Sequence, residues 1–409
     1  MIRRMVSMAI VTVLLSANVC GQEAQWLQYR WAREPHTQLP IVGRLRIEPT
    51  SEAPKNVDLP TLSAKEPLFA RWETPMAPAG HVWLAMDRSS EDTSYDRLFI
   101  DTDADGSLAD EQPIEAFRAR VRESLSGRIL YGDFGPVQIL FPGEDGPVAS
   151  HVVLSLYARP GYRRLYVVSA GWYEGIVTLG GRKVHCTLID TSVNGRFNDT
   201  AAARAACDAI RLVAEGKNRM GPSRDFDPAM HFVGRHVEYD GRLYRLTITP
   251  DGSQVTFAPA GDVPMGAVRV ADDMARLSVF GPEGSFLREP AGGVATVPAG
   301  TYGVHQWERQ RKDPDDNVGW SLVEAGATKE EPFVVEANKT LDLGIGRDVA
   351  GRLEVTSRSQ STYSIGMKLM TGKGDYIRLL RAGQRAPRPK VHITNADGTC
   401  KQTYNLEYG

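Results

Sequence analysis

The residues with the clearest chemistry lie in Asp101-Thr-Asp103-Ala-Asp105-Gly106-Ser107-Leu108-Ala-Asp110-Glu111. A hard cation such as calcium takes six to eight oxygens, and a loop wound around it offers them from alternate positions. Asp101, Asp103 and Asp105 fill positions 1, 3 and 5. Gly106 follows, where the chain must turn sharply, and Ser107 can add its backbone carbonyl. Leu108 is the apolar residue that ties the loop to a core. An EF-hand closes its shell with an acid at position 12. Here that residue is Gln112, so Asp110 and Glu111 must close the shell instead. Asp, Gly and Ser are also ordinary surface-turn residues. Against that reading, carboxylates this crowded repel one another unless a cation neutralises them.

A second copy begins 89 residues later: Asp190-Thr-Ser192-Val-Asn194-Gly195-Arg196-Phe197-Asn-Asp199. Asp190, Ser192, Asn194, the Arg196 carbonyl and Asp199 are its candidate ligands. Phe197 replaces Leu108 as the anchor. The second copy carries fewer carboxylates and should hold calcium more weakly, because affinity follows ligand charge. Its alternative is a plain hairpin loop shaped by Asn194-Gly195. Both copies follow an apolar strand end, Leu98-Phe-Ile and Thr187-Leu-Ile, which makes them an internal repeat of a strand–loop unit.

The elements that must position these loops read as strands. Leu165–Ser169, Ile176–Leu179 and Val184–Ile189 are β-branched or aromatic runs, with Gly180-Gly181 as a turn. Asp240-Gly241 and Pro250-Asp251-Gly252 separate Val237–Tyr239, Leu243–Ile248 and Val255–Phe257, which predicts a three-stranded meander. The expected fold class is mainly β. Residues 1–21 form a signal peptide and 22–262 an antiparallel β domain carrying both loops. Residues 263–348 form a β-sandwich-like unit, and 349–409 a C-terminal β unit that ends as if truncated. Two stretches are expected to be helical: Ala201–Glu215, which is Ala-rich and capped by Thr200, and more weakly Ile114–Ser124.

At the two loops the chain resembles the short Asp-x-Asp-x-Asp-Gly calcium loops of dockerin and other EF-hand-like modules. A wider pattern includes Ser169-Ala-Gly-Trp-Tyr-Glu-Gly175, the Asp-Gly meander and Pro298-Ala-Gly-Thr-Tyr302. It is similar to large exported β-rich proteins of unknown function from planctomycete-like bacteria. The resemblance implies calcium at the loops and no particular reaction. Dockerin is helical with paired loops in close succession, so cohesin binding is not implied.

Other constellations carry less. His231 and His236 are five residues apart, which misses the helical zinc spacing and puts them on opposite faces of a strand. No zincin, hydrolase-elbow or Walker sequence occurs. Trp172-Tyr173-Glu174 could stack on a sugar, although aromatics in β-proteins more often sit in a core.

Arg3 and Arg4, the apolar run Met5–Leu15, and Val19 and Gly21 before Gln22 fit a cleaved export signal. Lipidation at Cys20 is the alternative. Cys186 and Cys207 bracket the second loop and are a candidate disulfide pair, the alternative being buried thiols. Forty-eight basic and 50 acidic residues give no reason to expect nucleic acid. The expectation is an exported calcium-binding protein, secreted or periplasmic. Its expected role is binding or structural, with an envelope or extracellular partner for which carbohydrate is a candidate. The competing reading is an exported hydrolase with structural calcium.

Overall fold

The computed structural model describes residues 23–33, 43–124, 127–143, 146–200, 206–217, 226–325, 331–357, 363–372 and 374–407. The expected signal peptide lies outside them. No α-helix occurs among the described residues, and the chain is mainly β. Among the described residues no helix is long and apolar enough to cross a membrane.

Sheets pack face to face in pairs. In the first sandwich, Leu68–Glu73, His81–Asp87, Arg97–Ile100 and Ile114–Glu115 form one antiparallel sheet. It faces a sheet ordered Arg44–Ile47, Tyr162–Ser169, Val148–Arg159, Ile129–Phe141, Arg118–Arg122. Trp72, Leu84, Leu98, Phe134, Phe141 and Leu154 fill the space between them. Alternation along each strand supplies that apolar face.

In the second sandwich, Gly171–Leu179, Arg182–Ile189 and Ala209–Ala214 lie between Gln28–Trp31 and Met230–Phe232. The facing sheet is the expected meander, extended by Gln25–Trp26. Asp240 and Gly241 both have positive φ, 51° and 69°, as the two-residue hairpin requires. Val177, Leu188, Tyr244 and Phe257 belong to this core. The stretch 22–262 thus holds two cores. The first sandwich is an insertion: Gln25–Trp31 belongs to the second, and the chain returns to it at Gly171.

The third sandwich joins Met265–Arg269, Val294–Pro298 and Thr340–Asp342 to a sheet containing Met274–Gly281, Gly284–Arg288, Gly300–Lys312 and Gly319–Ala325. Strand Ile377–Arg381 pairs with Gly319–Ala325, so hydrogen bonding crosses the boundary expected at 348.

Both expected helices are corrected where they are described. Ala209–Ala214 is a strand paired with Arg182–Ile189. Ile210 and Leu212 point into the second core and outweigh the helix propensity of nearby alanines. Residues 201–205 lie outside the description. The stretch from Ile114 forms two short strands, Ile114–Glu115 and Arg118–Arg122, each at a sheet edge.

Candidate metal loop and its structural twin

Asp101 directly follows the Arg97–Ile100 strand and is almost fully buried. Its carboxylate accepts the Asp105 and Gly106 amides, each at 3.0 Å, and so folds the loop back on itself. The Asp105 carboxylate in turn accepts the Ser107 amide at 2.7 Å. Ala104 has φ 59° and Gly106 φ 92°, the left-handed steps that close the curl. Ala104 enters the first core, and Leu108 is fully buried beside Phe69, Ala85 and Phe99. The Leu108 amide donates to the Asp58 carbonyl at 2.8 Å.

Within this frame, one carboxylate oxygen each from Asp101, Asp103 and Asp105 lies within 4.8 Å of the others. Asp103 and Asp105 are exposed above the buried Asp101, a grouping that could hold a metal ion. Burial pushes Asp101 up to about 6; the Gly106 and Asp105 amides oppose this, and the Asp105 and Asp103 charges add to it. A bound cation would reverse the repulsion.

Asp110 and Glu111, expected to close the shell, are not in this group. Asp110 is exposed. Glu111 turns back to the start of the loop, where it accepts the Thr102 amide, and the Thr102 hydroxyl at 2.9 Å. Burial raises the Glu111 carboxyl, the Thr102 bonds oppose that, and the Asp103 and Asp110 charges add to it.

The Asp190 loop has the same trace. Asp190 accepts the Asn194 amide at 3.3 Å and the Gly195 amide at 2.8 Å, with Val193 as a further donor at 2.6 Å. Asn194 Oδ1 accepts the Arg196 amide at 2.9 Å. Val193 and Gly195 repeat the left-handed steps at φ 57° and 84°.

The side chains differ. Ser192 Oγ lies 3.1 Å from both Asp190 and Asp199, and Asn194 Nδ2 donates to Asp199 at 2.6 Å. The amide nitrogen of Asn194, not its oxygen, therefore faces the acid. No group of three acids close enough for a metal forms here among the described residues.

Carbonyls of this loop bond to the first sandwich. Trp72 Nε1 donates to the Val193 carbonyl at 2.7 Å, and the Thr74 hydroxyl to that of Asn194 at 2.6 Å. Val193 is buried in the first core, whereas Phe197 is buried in the second, with its ring edge-on to Tyr173 at 5.0 Å. The loop therefore fastens one sandwich to the other.

Sequence reasoning missed Asp208. This fully buried acid accepts the amides of Thr191 at 3.2 Å and Asp199 at 2.8 Å. Burial raises its pKa well above the ordinary carboxylate range, and the Asp190 charge adds to the rise. Asp208 does for Thr191 what Glu111 does for Thr102, taking the amide of the residue after the first Asp. Cys186 and Cys207 are buried thiols with no disulfide between them, which decides between the two expectations. They sit in different clusters.

No family model, curated protein or solved structure matches the chain. The functional reading rests on the geometry of the loops.

Proposed function

We propose that this is an exported calcium-binding protein with a non-catalytic binding or structural role at the cell envelope, and that calcium sits in the Asp101 loop. The observation that carries the reading is the convergence of Asp101, Asp103 and Asp105 on a loop already curled by its own amide bonds. Carboxylate oxygens in a preformed loop suit a hard cation, and water can fill the remaining positions. The export signal read at Arg3 to Gly21 supports the location.

The acids with raised pKa in the Asp190 loop do not favour the hydrolase reading. Asp190 and Asp208 accept backbone amides, and neither lines the nearby hollow, whose wall includes Asp199, Ser192 and Asn194. A general acid must instead face its substrate.

Calorimetric titration tests the proposal. The protein should bind one calcium, and Asp105→Ala should weaken binding about tenfold or more, because it removes a charged ligand. Absence of calcium binding by the wild type would end the reading.

A further inference from the structure

The open end of the third sandwich departs from the pattern of an apolar interior. Along Gly300–Lys312 every second residue from Trp307 runs Trp307, Arg309, Arg311. Trp307 is fully buried in the core. Arg309 is nearly buried next to it, and Arg311 reaches solvent. The pairing of this strand with Met274–Gly281 shifts register opposite Glu308 and Arg309, and such bulges often stand beside functional sites.

These two arginines help to line a hollow of about 410 Å³ with Arg269, Arg347, Asp272 and Asp273. Asp273 fixes the arrangement. It accepts Arg309 through Nε at 2.5 Å and Nη2 at 2.8 Å, and Arg311 through Nε at 2.5 Å. The remaining Arg309 nitrogen donates to the Gly346 carbonyl, so Arg309 is fully engaged. Arg347 is held by Asp342 at 3.0 Å and by the Val270 carbonyl at 3.4 Å.

Two sets of donors remain open. Among the described residues Arg311 bonds only through Nε, which leaves both of its terminal nitrogens available. Arg269 is exposed and feels the Asp342 charge, but its guanidinium makes no hydrogen bond among the described residues. Four guanidinium groups line the hollow with Asp272 and Asp273, and Asp342 beside it answers Arg347 and also attracts Arg269, so four positive charges stand against three carboxylates and one remains in surplus. Planar guanidinium forks match tetrahedral oxyanions through paired N–H bonds. At about 410 Å³ the hollow is also within the size range of small-ligand sites.

We propose that this hollow binds the sulfate or phosphate group of a small anionic ester, with Arg269 and Arg311 gripping the oxyanion and Asp273 positioning Arg311. The site is built on different strands from the Asp101 loop, so it stands or falls apart from calcium.

The test is calorimetric titration at low salt with galactose 6-sulfate, galactose 6-phosphate, sodium sulfate and galactose. The wild type should bind the two esters, with sodium sulfate weaker and galactose undetected. Arg269→Gln and Arg311→Gln should each weaken ester binding about tenfold, since each removes charged hydrogen bonds. Both side chains are exposed, and the melting temperature of each variant should stay within about 2 °C of wild type, as for ordinary surface changes. Rising salt should weaken binding. Failure of the wild type to bind either ester would overturn the proposal. So would equal ester binding by the Arg269→Gln/Arg311→Gln double variant.

Discussion

The Asp101 and Asp190 loops share one backbone design and put it to different uses. In both, the first Asp accepts the amides four and five residues on, the third residue after it adopts positive φ, and a Gly closes the curl. In the first loop, Asp103 and Asp105 stay exposed beside Asp101. In the second, Ser192 and Asn194 both donate to Asp199, and the loop carbonyls accept from Trp72 and Thr74. The trace comes from a small set of residues, Asp, Gly and an apolar anchor. Whether the loop can take a cation depends on what its remaining oxygens already hold.

The anchors provide the largest test of this contrast. Phe197→Ala and Leu108→Ala should each cost about 3–5 kcal/mol in urea unfolding, as large buried truncations do. Phe197→Ala should leave calcium affinity unchanged, while Leu108→Ala should weaken it by loosening the Asp101 curl. Equal effects on calcium from the two variants would erase the distinction.

A smaller, pH-dependent effect probes the same junction. His151 of the first sandwich stacks on Trp31 of the second at 4.5 Å and bonds to Tyr29 at 3.1 Å. Burial lowers His151 to about 4, against about 6.5 for a free ring. The unfolded chain therefore takes up the proton first. The His151 contribution is complete above pH ~6.5 and is lost as pH falls towards 4, by at most about 1.4 kcal/mol per pH unit. Asp101 is raised to about 6 and has the opposite sign: its protonated form favours the fold at low pH, and that support fades as pH rises through 6. Comparing wild type with His151→Gln isolates the histidine. The stability difference should grow with pH between 4 and 6.5, and a flat difference would refute the assignment.

The smallest expected difference lies at the turn glycines. Gly106 has open space where a Cβ would stand, whereas at Gly195 a Cβ would meet Met76 Cγ at 3.0 Å and Phe141 Cε2 at 3.4 Å. Gly106→Ala should cost about 1 kcal/mol from positive φ alone, and Gly195→Ala about 2, measured by thermal unfolding. The reverse order would mean that the second loop is not wedged against the first sandwich.

Local chemistry was legible in the sequence, and long-range pairing was not. Asp101, Asp103, Asp105, Gly106 and Leu108 act within one short loop, so their spacing alone conveys the curl. Asp240-Gly241 announces its hairpin for the same reason. Asp208 was hidden because the Ala-rich stretch around it suggested a helix. As the residue before strand Ala209–Ala214, it is carried by pairing with Arg182–Ile189 back to the start of the loop. The insertion of the first sandwich into the second was equally silent, since it depends on Gln28–Trp31 pairing with Gly171–Glu174, over a hundred residues away.

The most direct test of the account is thermal unfolding with calcium and with chelator, on wild type, Asp103→Asn/Asp105→Asn and Asp199→Asn. A ligand that binds only the folded state raises its melting temperature. Calcium should raise that of the wild type and of Asp199→Asn alike, and leave Asp103→Asn/Asp105→Asn unmoved. An unchanged wild-type curve, or a calcium response abolished only by Asp199→Asn, would contradict the assignment of the metal to the Asp101 loop.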